Sequence, residues 1–202
     1  HLLEQILKDT PVESVVITEV GDMCPPVKRL LVNSVVKYVK KMVPAYNLPH
    51  AYSFRKALDL GSARPPERAT LTNDDIAFLQ YTGGTTGVSK GAVLTHRNVI
   101  ANMLQIFEWV KPKLKEGEEV ILTALPMYHI FSLTVNCLAF MRFGAQNILI
   151  TNPRDIPAFI KDMRTYPFTV MSGVNTLFNA LMNHPDFDKI DFSRVKVSVA
   201  GA

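Results

Sequence analysis

The sequence predicts an α/β fold, with mostly parallel sheets flanked by helices. Short apolar segments have the length and composition of buried strands, and helical patterns of apolar residues lie between many of them. Strands that alternate with helices in this way are typical of parallel sheets. The 202 residues, 48% of them hydrophobic, are enough to bury a sizeable core in one domain or in part of a larger one.

The elements follow in chain order. An amphipathic helix is predicted at the first residues. The predicted strands are 14–18, 76–81, 91–94, 120–125, 147–151, 168–171 and 195–199. The other predicted helices are 27–43, 97–110, 130–141, 156–166 and 174–183. Prolines at positions 44, 49, 65 and 66 indicate turns and a loop that leads into the strand at 76–81.

Residues 25–68 are much more basic than the rest of the chain. They hold Lys28, Arg29, Lys37, Lys40, Lys41, Arg55, Lys56, Arg64 and Arg68 against the acids Asp59 and Glu67. A basic amphipathic helix at 27–43 fits an anionic membrane surface. The more ordinary interpretation is a solvated charged face above a core contact. The net charge of +4 is a weak argument for any partner, and no nucleic acid is predicted.

One segment is long enough to be mistaken for a membrane span. Residues 120–141 hold no Asp, Glu, Lys or Arg, and their one histidine, His129, is taken as neutral. Polar residues and Pro126 interrupt this segment, and polar groups are costly in lipid. We therefore predict a buried strand, a turn at Pro126 and a core helix.

Cysteine use indicates the compartment. Cys24 and Cys137 lie far apart and have no metal-ligand spacing, which favours a reducing, intracellular setting over a disulfide framework. A signal peptide is not predicted before the first element. The chain begins within a helical pattern and ends directly after a strand-like run, so we expect both ends to be cut from a longer domain.

The segment with the clearest chemistry is a glycine-rich loop between two strand-like runs. Residues 81–91 read Tyr-Thr-Gly-Gly-Thr-Thr-Gly-Val-Ser-Lys-Gly. Glycines let backbone N–H groups approach an anion, threonine hydroxyls donate to phosphate oxygens, and a lysine adds a counter-charge. The candidate phosphate-binding residues are Thr82, Gly83, Gly84, Thr85, Thr86, Gly87 and Lys90.

Two other interpretations of this loop compete with phosphate binding. A Walker A loop requires a Gly-Lys-Ser/Thr sequence that opens a helix, whereas Lys90 is followed by Gly91 and a strand. A flexible hairpin turn is the ordinary explanation of a Gly/Thr-rich loop. The density of glycines, threonines and lysine favours phosphate binding over a simple turn.

This loop resembles the phosphate-binding signature of the adenylate-forming superfamily, which includes acyl-CoA synthetases, luciferase-like enzymes and peptide-synthetase adenylation domains. Gly83 stands where serine is common, and Ser89 stands where proline is common. Loss of the serine hydroxyl removes one phosphate donor, but the backbone cradle remains. The glycine variant is similar to bacterial long-chain fatty acyl-CoA synthetases, which the chain resembles most.

Further segments carry the same resemblance over nearly the whole chain. Thr95 looks like the cap of the helix that follows the loop. Residues 124–133 resemble the second core motif, in which Tyr128 and His129 lie beside the carboxylate and adenylate. Residues 172–178 resemble a wall of the acyl pocket, with Gly173, Val174 and Asn175 as pocket neighbours. The final residues resemble a strand-end glycine motif near the nucleotide.

The resemblance implies a two-step reaction. A fatty-acid carboxylate attacks the α-phosphate of ATP, and the thiol of coenzyme A then attacks the acyl-adenylate. Residues 82–90 would hold the departing pyrophosphate, and Mg²⁺ would bridge phosphate oxygens. His129 is the candidate catalytic residue, orienting carboxylate or adenylate; a structural histidine and a core tyrosine at 128 are the ordinary alternatives.

No metal site is predicted from protein ligands, since His50, His96 and His184 show no supporting spacing. Asp74 and Asp75 are interpreted as a solvated turn or helix start.

The resemblance also defines what the chain lacks. No segment matches the family's adenine motif, magnesium-binding glutamate, hinge acid or catalytic lysine. We therefore expect residues 1–202 to be an incomplete portion of the N-terminal AMP-binding domain, without the C-terminal domain and inactive alone. The alternatives are a non-catalytic nucleotide-binding domain and a ligase for a different carboxylic acid. A cytoplasmic location, a homodimer and peripheral contact with the inner face of the membrane are further implications.

Overall fold

The structure, a computed structural model, describes residues 2–64, 66–82 and 89–201. The chain forms two compact units, His1–Thr70 and Leu71–Ala202. In the first unit, strands β1 (Val16–Ile17) and β2 (Tyr52–Ser53) form a short parallel pair. Its helices are α1 (Leu2–Ile6), α2 (Pro26–Ser34) and α3 (Phe54–Ser62). A 3₁₀ turn, Leu7–Asp9, extends α1, and a π-helical turn, Val35–Val39, extends α2.

Helix α3 corrects the prediction of a loop after Pro44. Ser53 caps the helix by accepting a hydrogen bond from the Lys56 amide at 3.3 Å. A serine followed by a helical apolar pattern at Phe54, Ala57 and Leu58 was the available signal. The prolines at 44 and 49 do mark irregular chain, but that chain ends before α3 begins.

The basic helix exists but is shorter than predicted. Its helical conformation ends at Val39, and Lys41 has a positive φ of 50°, which stops any continuation. Apolar side chains such as Val27 and Leu31 are exposed, at 74% and 62%.

The second unit contains most of the predicted strands and helices. Its strands are β3 (Ile76–Thr82), β4 (Lys90–Thr95), β5 (Val120–Thr123), β6 (Gln146–Leu149), β7 (Val170–Gly173) and β8 (Val197–Ala200). Its helices are α4 (His96–Val110), α5 (Ile130–Ser132), α6 (Phe140–Arg142), α7 (Ile156–Thr165) and α8 (Asn175–Met182), with a π-helical turn, Leu133–Ala139, joining α5 to α6. A short 3₁₀ turn, Phe187–Lys189, follows α8.

Four strands form the predicted parallel sheet, in the order β6-β5-β7-β8. The α5–α6 segment connects β5 to β6, α7 connects β6 to β7, and α8 connects β7 to β8. The strand order reverses between β5 and β7. Alternating side chains of the strands bury two cores, because successive residues of a strand point to opposite faces.

The two cores cover the two faces of this sheet. One contains Ile121 and Val170 packed against Phe107, Phe140 and other residues of α4 and α6. The other contains Leu122 and Met171 with the buried residues of α7 and α8. Helices on both faces of a parallel sheet confirm the predicted fold class.

Residues 120–141 form β5, an irregular connection and the α5–α6 segment, as predicted. No helix in the described part of the chain is long and apolar enough to cross a membrane. Cys24 and Cys137 are both free thiols.

A buried ion pair lies where β5 begins. Glu119 is fully buried, and its Oε1 accepts hydrogen bonds from Lys196 Nζ at 2.6 Å and from the Lys115 amide at 2.7 Å. Burial raises the pKa of Glu119, but the Lys196 ammonium, the Thr169 hydroxyl and the Lys115 amide together outweigh it, so the net pKa is lowered. Within the described residues, Oε2 of Glu119 has no hydrogen-bond partner.

Candidate functional site

The candidate site lies at the carboxyl ends of the parallel strands. Thr123, Ser172 and Val199 are register neighbours across β5, β7 and β8, so these three strands end at the same edge. The strand order reverses between β5 and β7, and ligands of open α/β sheets bind in the crevice at such a point. The connections after β5 and β7 carry the predicted residues Tyr128, His129, Val174 and Asn175.

His129 is held at the start of α5 by its local backbone. Its amide donates to the Pro126 carbonyl at 2.9 Å, which closes a turn. Its Nδ1 accepts from the Phe131 amide at 3.3 Å and so caps α5. Ser132, fully buried, donates to the Leu125 carbonyl at 3.1 Å and holds the loop from the other side. His129 is exposed, and these hydrogen bonds fix the turn that carries it.

Tyr128 lies next to this turn and is 84% exposed. A core-packing role for Tyr128 therefore finds no support in this geometry. The other predicted substrate residues stand at the end of β7: Gly173 is buried, Val174 is half-buried and Asn175 begins α8.

Two glycines bring the ends of β7 and β8 together with α5. The Gly201 amide donates to the Gly173 carbonyl at 3.1 Å. A Cβ at Gly201 would lie 2.9 Å from Cε2 of Phe131, closer than side chains tolerate. A Cβ at Gly173 would lie 3.2 Å from Leu177 and Phe178. The final strand therefore approaches the helix of the candidate site closely only because Gly201 has no side chain.

An apolar cavity of about 380 Å³, the first cavity, lies on the same face of the sheet as α4 and α5. Small-molecule sites typically have volumes of about 300–1,000 Å³ and mostly apolar walls. The lining residues are Asn102, Ile106, Trp109, Val110, Ile130, Phe131, Thr134, Val135, Phe140, Val197 and Val199. The apolar pattern of α4 was the sequence signal for part of this wall. That α4 and β8 line the same cavity could not be predicted from that pattern.

A second cavity, of about 390 Å³, lies on the other face of the sheet. Val174 lines it together with residues that follow β5, including Leu125 and Pro126, and residues of α8, including Leu177. The predicted acyl-pocket neighbour Val174 therefore borders the second cavity, whereas Phe131 and Val199 border the first.

The predicted phosphate loop joins the two strands of an antiparallel hairpin. Thr82 of β3 pairs with Lys90 of β4, so the loop begins and ends at adjacent positions. Gly83, Gly84, Thr85, Thr86 and Gly87 lie outside the described residues. Next to the loop, the ring of Tyr81 covers Gly91, where a Cβ would lie 3.3 Å from the ring. This close approach ties the two strands together directly below the loop.

Helix α4 starts immediately after the hairpin. Thr95 and Asn98 form a capping box, with the Asn98 amide donating to Thr95 Oγ1 and the Thr95 amide donating to Asn98 Oδ1. The predicted cap at Thr95 is confirmed. Asp74 and Asp75 lie in an exposed turn before β3, as predicted, and Asp74 pairs with Arg97 at 2.9 Å.

The described residues contain no group of three or more His, Cys, Asp or Glu side chains that could hold a metal ion.

Comparison with known proteins gives a consistent result. The model of the family described as AMP-binding enzyme matches residues 1–202. The long-chain-fatty-acid–CoA ligase of Escherichia coli O157:H7 is 53% identical over 201 residues, which cover 100% of this chain and 36% of that protein. The chain thus spans about a third of the length of this relative.

Solved structures support the fold. The N-terminal domain of FACL13 from Mycobacterium tuberculosis, solved with an inhibitor, has a TM-score of 0.66 and 21% identity, covering 100% of this chain and 47% of that chain. ATP-bound MatB from Rhodopseudomonas palustris has a TM-score of 0.63 and 24% identity, covering 100% and 38%. At these identities the likeness shows the fold alone.

Proposed function

Because this chain belongs to the AMP-binding enzyme family, we propose that it is part of the N-terminal domain of an ATP-dependent long-chain fatty acid–CoA ligase. The observation that carries the proposal is the high identity, over the whole chain, to a bacterial ligase of that name. The proposed reaction converts ATP, a fatty acid and CoA into acyl-CoA, AMP and pyrophosphate.

The reaction proceeds in two steps. A carboxylate oxygen of the fatty acid bonds to the α-phosphorus of ATP as the bond to the β,γ-pyrophosphate breaks. The CoA sulfur then bonds to the acyl carbon, and AMP leaves. The first step turns a poor acyl donor into a good one, and it depends on positioning and charge stabilisation more than on covalent help from the protein.

Residues 82–90 hold the leaving pyrophosphate in this proposal. The pairing of Thr82 with Lys90 supports it, because both ends of the loop are fixed by the same hairpin. Threonine hydroxyls, backbone amides and the charge of Lys90 are the groups that stabilise the phosphates. Mg²⁺, when bound together with ATP, would add positive charge that stabilises the phosphates.

The first cavity receives the acyl chain. Its walls are mostly apolar and suit an alkyl chain, whose transfer from water is favourable by roughly 0.8 kcal/mol per CH₂ group. His129 stands at the start of the helix that supplies Ile130 and Phe131 to that wall, so it can orient a carboxylate at the mouth of the cavity. Tyr128, Gly173 and Asn175 remain proposed neighbours of the substrate. Val174 lines the second cavity rather than the first, so in this proposal it is a neighbour of the substrate at the strand ends and not a wall of the acyl cavity.

Several finer properties belong to the same proposal. The ligase is cytoplasmic and works as a homodimer with peripheral contact at the inner face of the membrane. The exposed apolar residues of the basic helix α2, such as Val27 and Leu31, support the membrane contact. Residues 1–202 alone do not make acyl-CoA, because they match only about a third of the relative's length.

The test is pyrophosphate release by the full-length protein with ATP and Mg²⁺, comparing acetate, octanoate, palmitate and 4-coumarate. The double variant Thr85→Ala, Lys90→Ala removes one hydroxyl and one charge from the loop. We expect release to fall about 100-fold or more, the typical loss when transition-state donors are removed. The matched control is Lys161→Ala, Thr165→Ala, the same pair of residue types exposed on α7.

Strong release with palmitate that collapses only in the loop variant supports the proposal. Pyrophosphate release with 4-coumarate alone or with acetate alone would show that the substrate is a carboxylic acid other than a long-chain fatty acid. Absence of release with every acid would favour a non-catalytic nucleotide-binding domain.

A further inference from the structure

A buried cluster of polar side chains lies beneath the candidate site. Asn136 and Ser172 are fully buried, and Thr123 is 3% exposed. Asn136 Nδ2 donates to Thr123 Oγ1 at 2.9 Å and to Ser172 Oγ at 2.8 Å, while Ser172 Oγ donates to Asn136 Oδ1 at 3.0 Å. Every side-chain polar group of Asn136 is therefore satisfied by the sheet.

The cluster reaches a third strand through Asn147. Thr123 Oγ1 donates to Asn147 Oδ1 at 2.5 Å, and Asn147 Nδ2 donates to the main-chain carbonyl of Asn136 at 2.9 Å. Thr123 belongs to β5, Asn147 to β6 and Ser172 to β7. One residue of the α5–α6 segment is thus linked to three strands, near the carboxyl ends of β5 and β7 and near the start of β6.

Asn136 lies within the π-helical turn, Leu133–Ala139. A π-helical turn has wider hydrogen-bond spacing than an α-helix, and such turns are frequent at functional sites. The Phe140 amide bonds to the Val135 carbonyl, as this spacing requires. The widened turn coincides with the point where the Asn136 carbonyl accepts a side-chain hydrogen bond from β6.

We propose that Asn136 is a positioning residue for fatty-acid adenylation, fixing the α5–α6 segment in one register on the parallel sheet; this rests on the proposed function. The same segment carries His129 at its start and supplies Phe131, Thr134 and Val135 to the first cavity. A shift of the segment along the sheet moves the histidine and the cavity wall together.

The physical reason is that hydrogen bonds are directional, whereas apolar contacts are not. Apolar contacts such as those of Phe140 tolerate small slides, whereas the hydrogen bonds of Asn136 hold only at one register. A fully satisfied buried polar network rigidifies its surroundings and specifies a single arrangement. The phosphate loop belongs to the β3–β4 hairpin, which this network does not reach within the described residues.

The test separates register from stability by removing the buried part of the network. Asn136→Leu alone leaves the buried Ser172 hydroxyl without its partner and removes one of the two partners of the Thr123 hydroxyl, which destabilises the fold. The triple variant Thr123→Val, Asn136→Leu, Ser172→Ala removes both hydroxyls, while the half-buried Asn147 keeps its hydrogen bond to the main chain of residue 136. Such an exchange is close to neutral in stability. Leu181→Ala, buried on the opposite face of the sheet, is the control for a loosened core.

The measurements use the full-length protein: urea unfolding, and KM for palmitate and for ATP from pyrophosphate release. We expect the triple variant to unfold near the wild-type midpoint and yet to need about tenfold more palmitate, because small misplacements in a site reduce rates and binding strongly. KM for ATP should change less than about twofold, since the substitutions leave the contacts of the phosphate loop with ATP unaffected. Leu181→Ala should lower the midpoint and leave both KM values in place.

Wild-type palmitate KM in a stable triple variant would overturn the positioning role, as would an equal rise in both KM values. If the wild-type protein releases no pyrophosphate with palmitate, the proposed reaction fails on its own. Hydrogen exchange over residues 130–142 then decides the positioning role without substrate. Faster exchange there in the triple variant than in Leu181→Ala supports it, and unchanged exchange overturns it.

Discussion

Replacing Lys196 with Met removes the charged partner of a fully buried carboxylate. Glu119 is 0% exposed, and its Oε1 lies 2.6 Å from Lys196 Nζ. Removing one member of a buried pair typically costs about 3–5 kcal/mol, because the remaining charge is left uncompensated. The Lys196 side chain is 33% exposed, so water reaches one side of the pair and we expect a loss of about 2–3 kcal/mol.

The pH dependence gives the second half of this prediction. In the wild-type protein the folded-state pKa of Glu119 is lowered, so its stabilising contribution is present above the unfolded pKa of about 4.3 and is lost as pH falls through the folded value. Without Lys196 the folded-state pKa should rise above the unfolded one. The unpaired buried charge then destabilises the variant at neutral pH. Protonation of the carboxyl removes that charge, so the stability difference between variant and wild-type protein becomes smaller as the pH falls.

The assay is urea unfolding followed by circular dichroism at pH 7.5, 6 and 5. Lys189→Met is the matched control, because its ion pair with Asp186 is exposed to solvent and should contribute little to stability. The double variant Glu119→Leu, Lys196→Met should recover most of the lost stability, since no buried charge remains. A deficit below about 1 kcal/mol at pH 7.5, or one that grows on acidification, would refute the reasoning.

Three further predictions concern the candidate site and α4. Gly201→Ala places a Cβ 2.9 Å from Phe131 and should push the ring into the first cavity, which should raise the palmitate KM about tenfold. Adding Phe131→Leu should restore the palmitate KM, because the smaller side chain leaves room for the new methyl group. If the second substitution does not restore it, the contact is not the cause. Thr95→Ala should lower the urea stability by about 1 kcal/mol, and Thr165→Ala, exposed at the end of α7, by less than about 0.5 kcal/mol; equal losses would contradict the capping role. His129→Asn keeps a cap acceptor and should reduce kcat about 100-fold with an unchanged unfolding midpoint, whereas wild-type kcat would exclude a catalytic histidine.

Local patterns were sufficient for the elements around the phosphate loop. The alternation of apolar runs and glycines predicted both strands of the hairpin, and Thr95 predicted the start of α4. Strand and helix type depend on side-chain period and on nearby caps, which a single sequence displays. The membrane-length run at 120–141 was interpreted correctly for the same reason, since Pro126 visibly ends the strand.

Other elements depended on context. Helix α3 was missed because prolines on both sides suggested loop, although Ser53 gave a local start signal. The basic helix was predicted too long, since its end at Val39 involves a π-helical turn and a positive φ at Lys41 that no simple pattern shows. The antiparallel pairing of β3 with β4 stands apart from the parallel sheet, and the alternation of strands and helices did not distinguish them.

The class of fold, the position of the loop between β3 and β4, and the family of the chain could all be predicted from the amino-acid sequence, because each depends on residues close together in the chain. The strand order β6-β5-β7-β8 could not, and it is known only from the folded structure. That order brings Asn136 onto Thr123 and Ser172, and Gly201 onto Phe131, from distant parts of the chain. Such contacts arise from packing and from buried hydrogen bonds, which depend on distances in space that spacing along the chain does not contain.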